Sequence, residues 1–204
     1  MRHLIVASNN VGKVRELYAI LGNLDVELAR PIDLGLRLDV AETGQTYADN
    51  ARLKAQAAAL ASGLIALGDD SGLEVEALGG APGLYSARYA GVGANDAARR
   101  AKLLEALQPF PPPRLAQFRC ALAVAVPASA HWPQGDLRVF EGHCDGEIIF
   151  EERGQNGFGY DPVFYLAAFG RTMAELPEET KNQISHRARA AQAAWPYLES
   201  LLRS

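Results

Sequence analysis

Residues 3–8, HLIVAS, form a short apolar run that gives way to polar, turn-prone residues, which predicts a buried strand and its exit loop. Val14, Leu17, Tyr18 and Leu21 then recur at helical spacing, with Gly22 as a stop. A second helical pattern covers TYADNARLKAQAAALASG, residues 46–63, with Thr46 as N-cap, Asp49 three positions on, and Gly63 at its end. LIAL (64–67) predicts a buried strand that stops at Gly68. LEVEAL (73–78) predicts a half-exposed strand, Leu73, Val75 and Ala77 alternating with Glu74 and Glu76. NDAARRAKLLEALQ (95–108) reads as a peripheral third helix, and PFPPP (109–113) as a stiff connector. FRCALAVAV (118–126) and RVFEGHCDGEIIF (138–150) predict paired strands joined by a Pro/Gly-containing loop at 127–136. The last helix is placed from about Ser185 to the end, and Pro196 inside it predicts a kink or a break. Strands alternate with helices early and follow one another directly later. That order predicts an α/β fold with a mixed central sheet.

The 204 residues suffice for a sizeable core and are most simply one domain, 1–204, with room for two lobes. A net charge of −4 argues against broad capture of nucleic acid or an anionic membrane, yet leaves room for a small anionic ligand at a local basic cluster. The two cysteines, Cys120 and Cys144, lack metal-type spacing and read as packing residues in a reducing compartment. The first apolar stretch is too short for a signal peptide and no later run spans a bilayer, so the expectation is a soluble, cytoplasmic protein.

Several stretches carry candidate chemistry, each with a plainer alternative. SNNVGK (Ser8, Asn9, Asn10, Val11, Gly12, Lys13) sets a polar loop and a lysine at a helix start, where N–H groups and the positive helix end favour a phosphate. Taken alone it reads first as an ordinary capped loop with a solvated lysine, and it lacks the Walker A pattern. Glu42 precedes the second helix, on which Asn50 and Lys54 share a face; helix-start electrostatics also account for the acid. Asp69 and Asp70 place two like charges side by side. Extended side chains diverge, so one aspartate is expected to face a site, where Asp70 with Glu42 would suit a hard ion such as Mg²⁺; an acidic DDSG turn is the alternative. In GQNGFGYDPVFY (154–165), Gly157 and Gly159 flank Phe158, so backbone and ring can approach a flat ligand, against a plain hairpin in which Phe164 and Tyr165 are core. Ser185 can cap the last helix, leaving His186 and Arg187 in its first turn with Lys181 upstream; cations there are best explained by a facing anion or polar ring, or are simply solvated. His3, His131 and His143 show no ligand spacing.

Together these stretches resemble the inosine triphosphatase-like family of noncanonical purine nucleoside triphosphate pyrophosphatases, the Ham1/RdgB group. SNNVGK, ETGQTYADNARLKA, DDSGLEVEALGGAPGLYSARYAG, NGFGYDP and KNQISHR occur in the family's order. The resemblance implies Mg²⁺-dependent hydrolysis of ITP, dITP and XTP to the monophosphate and pyrophosphate. It also implies a homodimer whose two-lobed α/β fold holds the nucleotide in a cleft between the lobes. By motif, Ser8 to Lys13 would hold the phosphates with Lys54 near them, and Glu42 and Asp70 would bind Mg²⁺. Asp70 would also accept the water's proton. Ser71, Phe158, Gly159, Tyr160, Asp161, Lys181, His186 and Arg187 would hold the nucleotide, the last two near the base. Donors there favour the oxo group of inosine or xanthine over the amino group of adenine. Asn9 stands where many members have glycine. A non-catalytic nucleotide-binding module is the alternative, and a phosphatase releasing orthophosphate a third; product identity separates them.

Overall fold

The computed structural model describes residues 2–22, 24, 26–129 and 132–203, so His131 lies outside the described residues. Among the described residues, seven strands run in the order β2-β1-β3-β4-β5-β6-β7. They are β1 (Arg2–Val6), β2 (Val26–Ala29), β3 (Ile65–Val75), β4 (Leu115–Val126), β5 (Asp136–Ile148), β6 (Phe164–Leu166) and β7 (Arg171–Thr172). β1 pairs parallel with β2 and β3, whereas β6 pairs antiparallel with β5 and β7, so the sheet is mixed. The helices are α1 (Val11–Leu21), α2 (Tyr47–Ser62), α3 (Asp96–Leu107), α4 (Glu178–Ile184) and α5 (His186–Arg203). The chain divides into two compact units, 1–70 with 120–142 and 187–204, and 71–119 with 143–186. β3, β4 and β5 each supply residues to both.

In the first unit the period of two along each strand builds two core layers. Leu4, Val6, Leu122 and Val124 point to one side, where α1 brings Val14, Leu17 and Leu21 and α5 brings Ala190, Ala194 and Leu198. Ile5, Ala66, Ala121 and Ala123 point to the other, against Ala51, Ala55, Ala58 and Ala59 of α2. That alanine face lets α2 lie close to β3, and Gly68 is where they meet: a Cβ there would stand 2.2 Å from the Ala51 carbonyl oxygen. The second unit has its own core of Leu73, Val75, Leu103, Leu107, Phe118, Ile148 and Phe164.

Four expectations change or narrow. The chain does not stop at Gly68: β3 runs through Gly68-Asp69-Asp70-Ser71-Gly72 to Val75, because its polar residues find buried partners, and the DDSG turn is not formed. Glu76 and Ala77 leave the strand for a short 3₁₀ turn, Glu76–Leu78. Of the two outcomes expected at Pro196, the break does not occur: α5 continues through it, with Ala190, Ala194, Tyr197, Leu198 and Leu201 packed on the core on both sides of the proline. Of the Phe164–Tyr165 pair only Phe164 is core; Tyr165 is half-buried.

Candidate active site

Adjacent residues on a strand project to opposite sides, and β3 uses this to give its two aspartates different partners. Asp69 faces α1 and α5. Its Oδ1 lies 2.5 Å from Lys13 Nζ, its Oδ2 accepts from Arg187 Nε at 2.8 Å, and the Cys120 thiol donates to the same oxygen at 3.2 Å. Arg187 also pairs with Glu16 of α1, so two cations and two carboxylates neutralise one another, all buried but the partly exposed Lys13. Burial by itself would raise the Asp69 carboxyl, but Arg187 and then Lys13 outweigh it and hold the group well below the usual aspartate range. Burial pushes the Cys120 thiol well up, with Asp69 adding to it, which keeps it a neutral donor.

Asp70 faces α2. Asn50 donates to its Oδ2 at 3.2 Å, and Lys54 Nζ lies 2.8 Å from its Oδ1. The same ammonium is 2.6 Å from Glu42 Oε1 and donates to the Asp69 carbonyl at 3.0 Å. α2 can deliver both side chains because Asn50 and Lys54 are one turn apart. A capping box, with Asp49 N–H on Thr46 Oγ1 and Asp49 Oδ2 receiving the Thr46 N–H, fixes where that helix begins. Burial opposes the Lys54 charge, yet Asp70 and Glu42 together raise its pKa above the ordinary lysine value. Glu42 and Asp70 therefore converge on one cation position, which Lys54 fills. Two carboxylates are hard oxygen donors of the kind that hold Mg²⁺ with water and phosphate oxygens completing the shell. Among the described residues no group of three or more His, Cys, Asp or Glu side chains could hold a metal.

At the start of α1, Asn10 is the N-cap: its side chain accepts the Lys13 N–H at 3.1 Å, and its own N–H donates to Ser8 Oγ at 3.1 Å. The expected cap and the lysine are one construction, with Asn9 and Val11 exposed beside it.

The second unit gathers the aromatic loop. Asp161 Oδ2 accepts the Phe158 N–H at 2.8 Å and lies 2.5 Å from Lys181 Nζ, while Lys181 stands 5.2 Å from the Phe158 ring centroid. A Cβ on Gly157 would fall 2.1 Å from Asp161 Oδ2, so glycine is required where these groups close. Tyr160 is buried, which raises its hydroxyl pKa, and that hydroxyl donates to the Ser86 carbonyl at 2.9 Å. His186 stacks on Phe118 with centroids 4.8 Å apart, and Ser71 sits half-buried on β3.

Arg187 departs from its expected place beside a base. Its side chain is 1% exposed and its guanidinium is committed to Asp69 and Glu16. Glu16 is not singled out by the sequence, since a charged residue between Val14 and Leu17 on α1 has the pattern of a surface position. Nor are Asp96 and Arg100, which meet the Gly159 backbone from a helix with a peripheral pattern. No local pattern announces either, because both sets of partners are remote in the chain.

The model of the Ham1 family matches residues 4–197. The chain is 51% identical over 191 residues to a dITP/XTP pyrophosphatase of Geobacillus kaustophilus, covering 93% of this chain and 91% of that protein. It is 46% identical over 199 residues to one of Desulforamulus reducens, covering 97% and 96%. Among solved structures, the Ham1 protein of Staphylococcus aureus superposes with a TM-score of 0.83 at 42% identity, covering 98% of this chain and 100% of that one. A HAM1 protein from Coxiella burnetii gives 0.84 at 41%, with the same coverage. The mixed α/β architecture is shared with these structures, and with relatives aligned over nearly its whole length, the chain belongs to the Ham1 family.

Proposed function

We propose that this chain hydrolyses dITP, ITP and XTP to the nucleoside monophosphate and pyrophosphate, with Mg²⁺ held by Glu42 and Asp70. The names of the relatives support the substrate class. The observation that carries the reading is the meeting of Glu42 and Asp70 on the single ammonium of Lys54. When bound there, the ion supplies Lewis-acid stabilisation of charge on the phosphate oxygens.

The remaining work belongs to the chain. Ser8 to Lys13 offer an ammonium and the N–H groups of a helix start to the phosphates, where charge grows as pyrophosphate leaves. Lys54 offers a second ammonium beside them. Asp70 orients the water: its oxygen bonds to the α-phosphorus, the bond from that phosphorus to the pyrophosphate oxygen breaks, and the water's proton leaves by way of the carboxylate. An aspartate is a weak acceptor at neutral pH, so orientation is its larger contribution. Phe158 presents a stacking face, and Ser71, the Gly159–Asp161 backbone, Lys181 and His186 supply polar contacts. A donor facing purine position 6 suits the oxo group of hypoxanthine or xanthine and mismatches the amino group of adenine. Arg187 serves here as the support of Asp69, and through it of Lys13. The active form is proposed to be a homodimer, which light scattering tests.

The test is product identity. The purified protein is given dITP, XTP, dATP and dGTP with Mg²⁺ in ¹⁸O-labelled water. Pyrophosphate, with the label in the monophosphate, is expected from dITP and XTP. Orthophosphate would identify a different phosphohydrolase, and thermal protection by dITP without product would identify a binding module.

A further inference from the structure

The loop that carries Phe158 is short of its own constraints. Gly154, Gly157 and Gly159 all have positive φ, 80°, 77° and 64°, and glycine surrenders more backbone freedom on ordering than any other residue. A stacking platform built on such a backbone has to be pinned from outside. Asp161 and Lys181 hold the Phe158 side of it. The Gly159 peptide is held from α3.

Asp96, in the first turn of α3, accepts the Gly159 N–H on Oδ2 at 2.7 Å. Arg100, one turn further on the same face, donates from Nη1 to the Gly159 carbonyl at 2.9 Å. Both backbone polar groups of one residue are thus taken by one helix, each through a charged side chain, the stronger class of hydrogen bond. Each clamp residue is braced in turn. Asp96 Oδ1 accepts from Arg99 Nη1 at 2.8 Å, and Arg100 Nη2 lies 2.9 Å from Glu152 at the loop's other end. Packing alone does not require this arrangement, because α3 joins the core through Leu103 and Leu107 in its second half.

We propose that Asp96 and Arg100 are positioning residues for base recognition, fixing the Gly159 peptide so that Phe158 and the following backbone present one geometry to the purine. The proposal rests on the reading that residues 158–161 receive the base. It makes α3 part of the specificity apparatus.

The experiment measures dITP kinetics on the full chain for Asp96→Ala, Asp96→Asn and Arg100→Met, together with the inhibition constant of tripolyphosphate, which has phosphates and no base. KM for dITP is expected to rise about tenfold or more in Asp96→Ala and Arg100→Met, the loss of one charge-assisted hydrogen bond. Asp96→Asn keeps an acceptor oxygen and recovers most of that loss. Tripolyphosphate inhibition stays within about twofold throughout, as the phosphate residues are untouched. The proposal is overturned if KM stays near the parent value in both disruptive variants. It is also overturned if tripolyphosphate inhibition weakens in step with KM, or if neither disruptive variant folds, since α3 then serves general stability. If one of them alone fails to fold, the other decides. The parent and Phe158→Ala separate the two levels: a parent inert towards dITP sinks the functional reading. An active parent, an impaired Phe158→Ala and unimpaired α3 variants sink the clamp alone.

Discussion

Arg187→Met removes a guanidinium while keeping most of the side-chain volume, so it tests what the buried charges of the first unit do. Arg187 is 1% exposed, and its partners Asp69 and Glu16 are 0% and 6% exposed. The variant leaves two carboxylates in the core with Lys13 as the cation still paired to Asp69. Breaking such a buried arrangement by removing one partner costs about 3–5 kcal/mol. For a chain of this size each kcal/mol lowers Tm by about 2–4 °C, so a fall of roughly 6–20 °C is expected. Lys13→Met is the companion. It leaves the Asp69–Arg187 pair in place and removes a side chain that is 14% exposed, so its melting temperature changes far less while its affinity for nucleotide falls. Urea and thermal unfolding by circular dichroism, with dITP kinetics on each variant, make the comparison. An Arg187→Met protein that melts with the parent, or a Lys13→Met protein that is equally destabilised, would refute the assignment of Arg187 to the support of Asp69. A view of Arg187 as a surface reader of the base predicts the reverse, a loss of turnover with little loss of stability.

Lys54→Met frees Glu42 and Asp70 of their ammonium; Mn²⁺ binding to the nucleotide-free protein, measured by calorimetry, should tighten about tenfold or more as that repulsion disappears, even as turnover drops. Unchanged affinity would mean that Lys54 does not occupy the cation's place. Gly68→Ala would press a methyl group against the Ala51 and Ala55 backbone, 2.2 and 2.6 Å away, at a cost of about 1–3 kcal/mol. Because α2 carries Asn50 and Lys54, activity should fall with stability, and a variant indistinguishable from the parent in both would contradict the close contact. Tyr197→Phe tests the Asp136 carboxyl, which the Tyr197 hydroxyl holds below its ordinary range through a 2.7 Å hydrogen bond. A lowered folded pKa stabilises above the unfolded value of about 3.9, and that contribution is lost as pH falls through the folded pKa. The Tm difference between parent and variant should therefore be present at neutral pH and shrink in acid; a constant difference would count against it.

Where the chemistry is local, the sequence declares it. The Thr46–Asp49 capping box, the capped loop with Lys13 at the start of α1, and the apolar run of β1 were all legible, because each depends on neighbours a few residues apart. The divergence of Asp69 and Asp70 followed from strand geometry alone. What stayed hidden depends on remote partners. Gly68-Asp69-Asp70-Ser71-Gly72 has the composition of a turn and becomes mid-strand because Lys13, Lys54, Asn50 and Arg187 compensate its charges. A facing anion was the expected explanation of Arg187 at its helix start, but that the anions are Asp69 and Glu16 of the protein itself was hidden for the same reason. At Pro196 packing carries the helix past a residue that could have ended it, and α3 shows that a helix with a polar first half can have its partners elsewhere in the fold.

The central claim is that Glu42 and Asp70 share one divalent ion beside the triphosphate. The most direct measurement is Mn²⁺ binding, by electron paramagnetic resonance, in the presence of a dITP analogue that resists cleavage between the α- and β-phosphates, for the parent, Glu42→Gln, Asp70→Asn and the double variant. Each single change should weaken binding at least tenfold, and the double change should add less than the product of the two. Binding at parental affinity in either single variant would place the ion elsewhere and contradict the account.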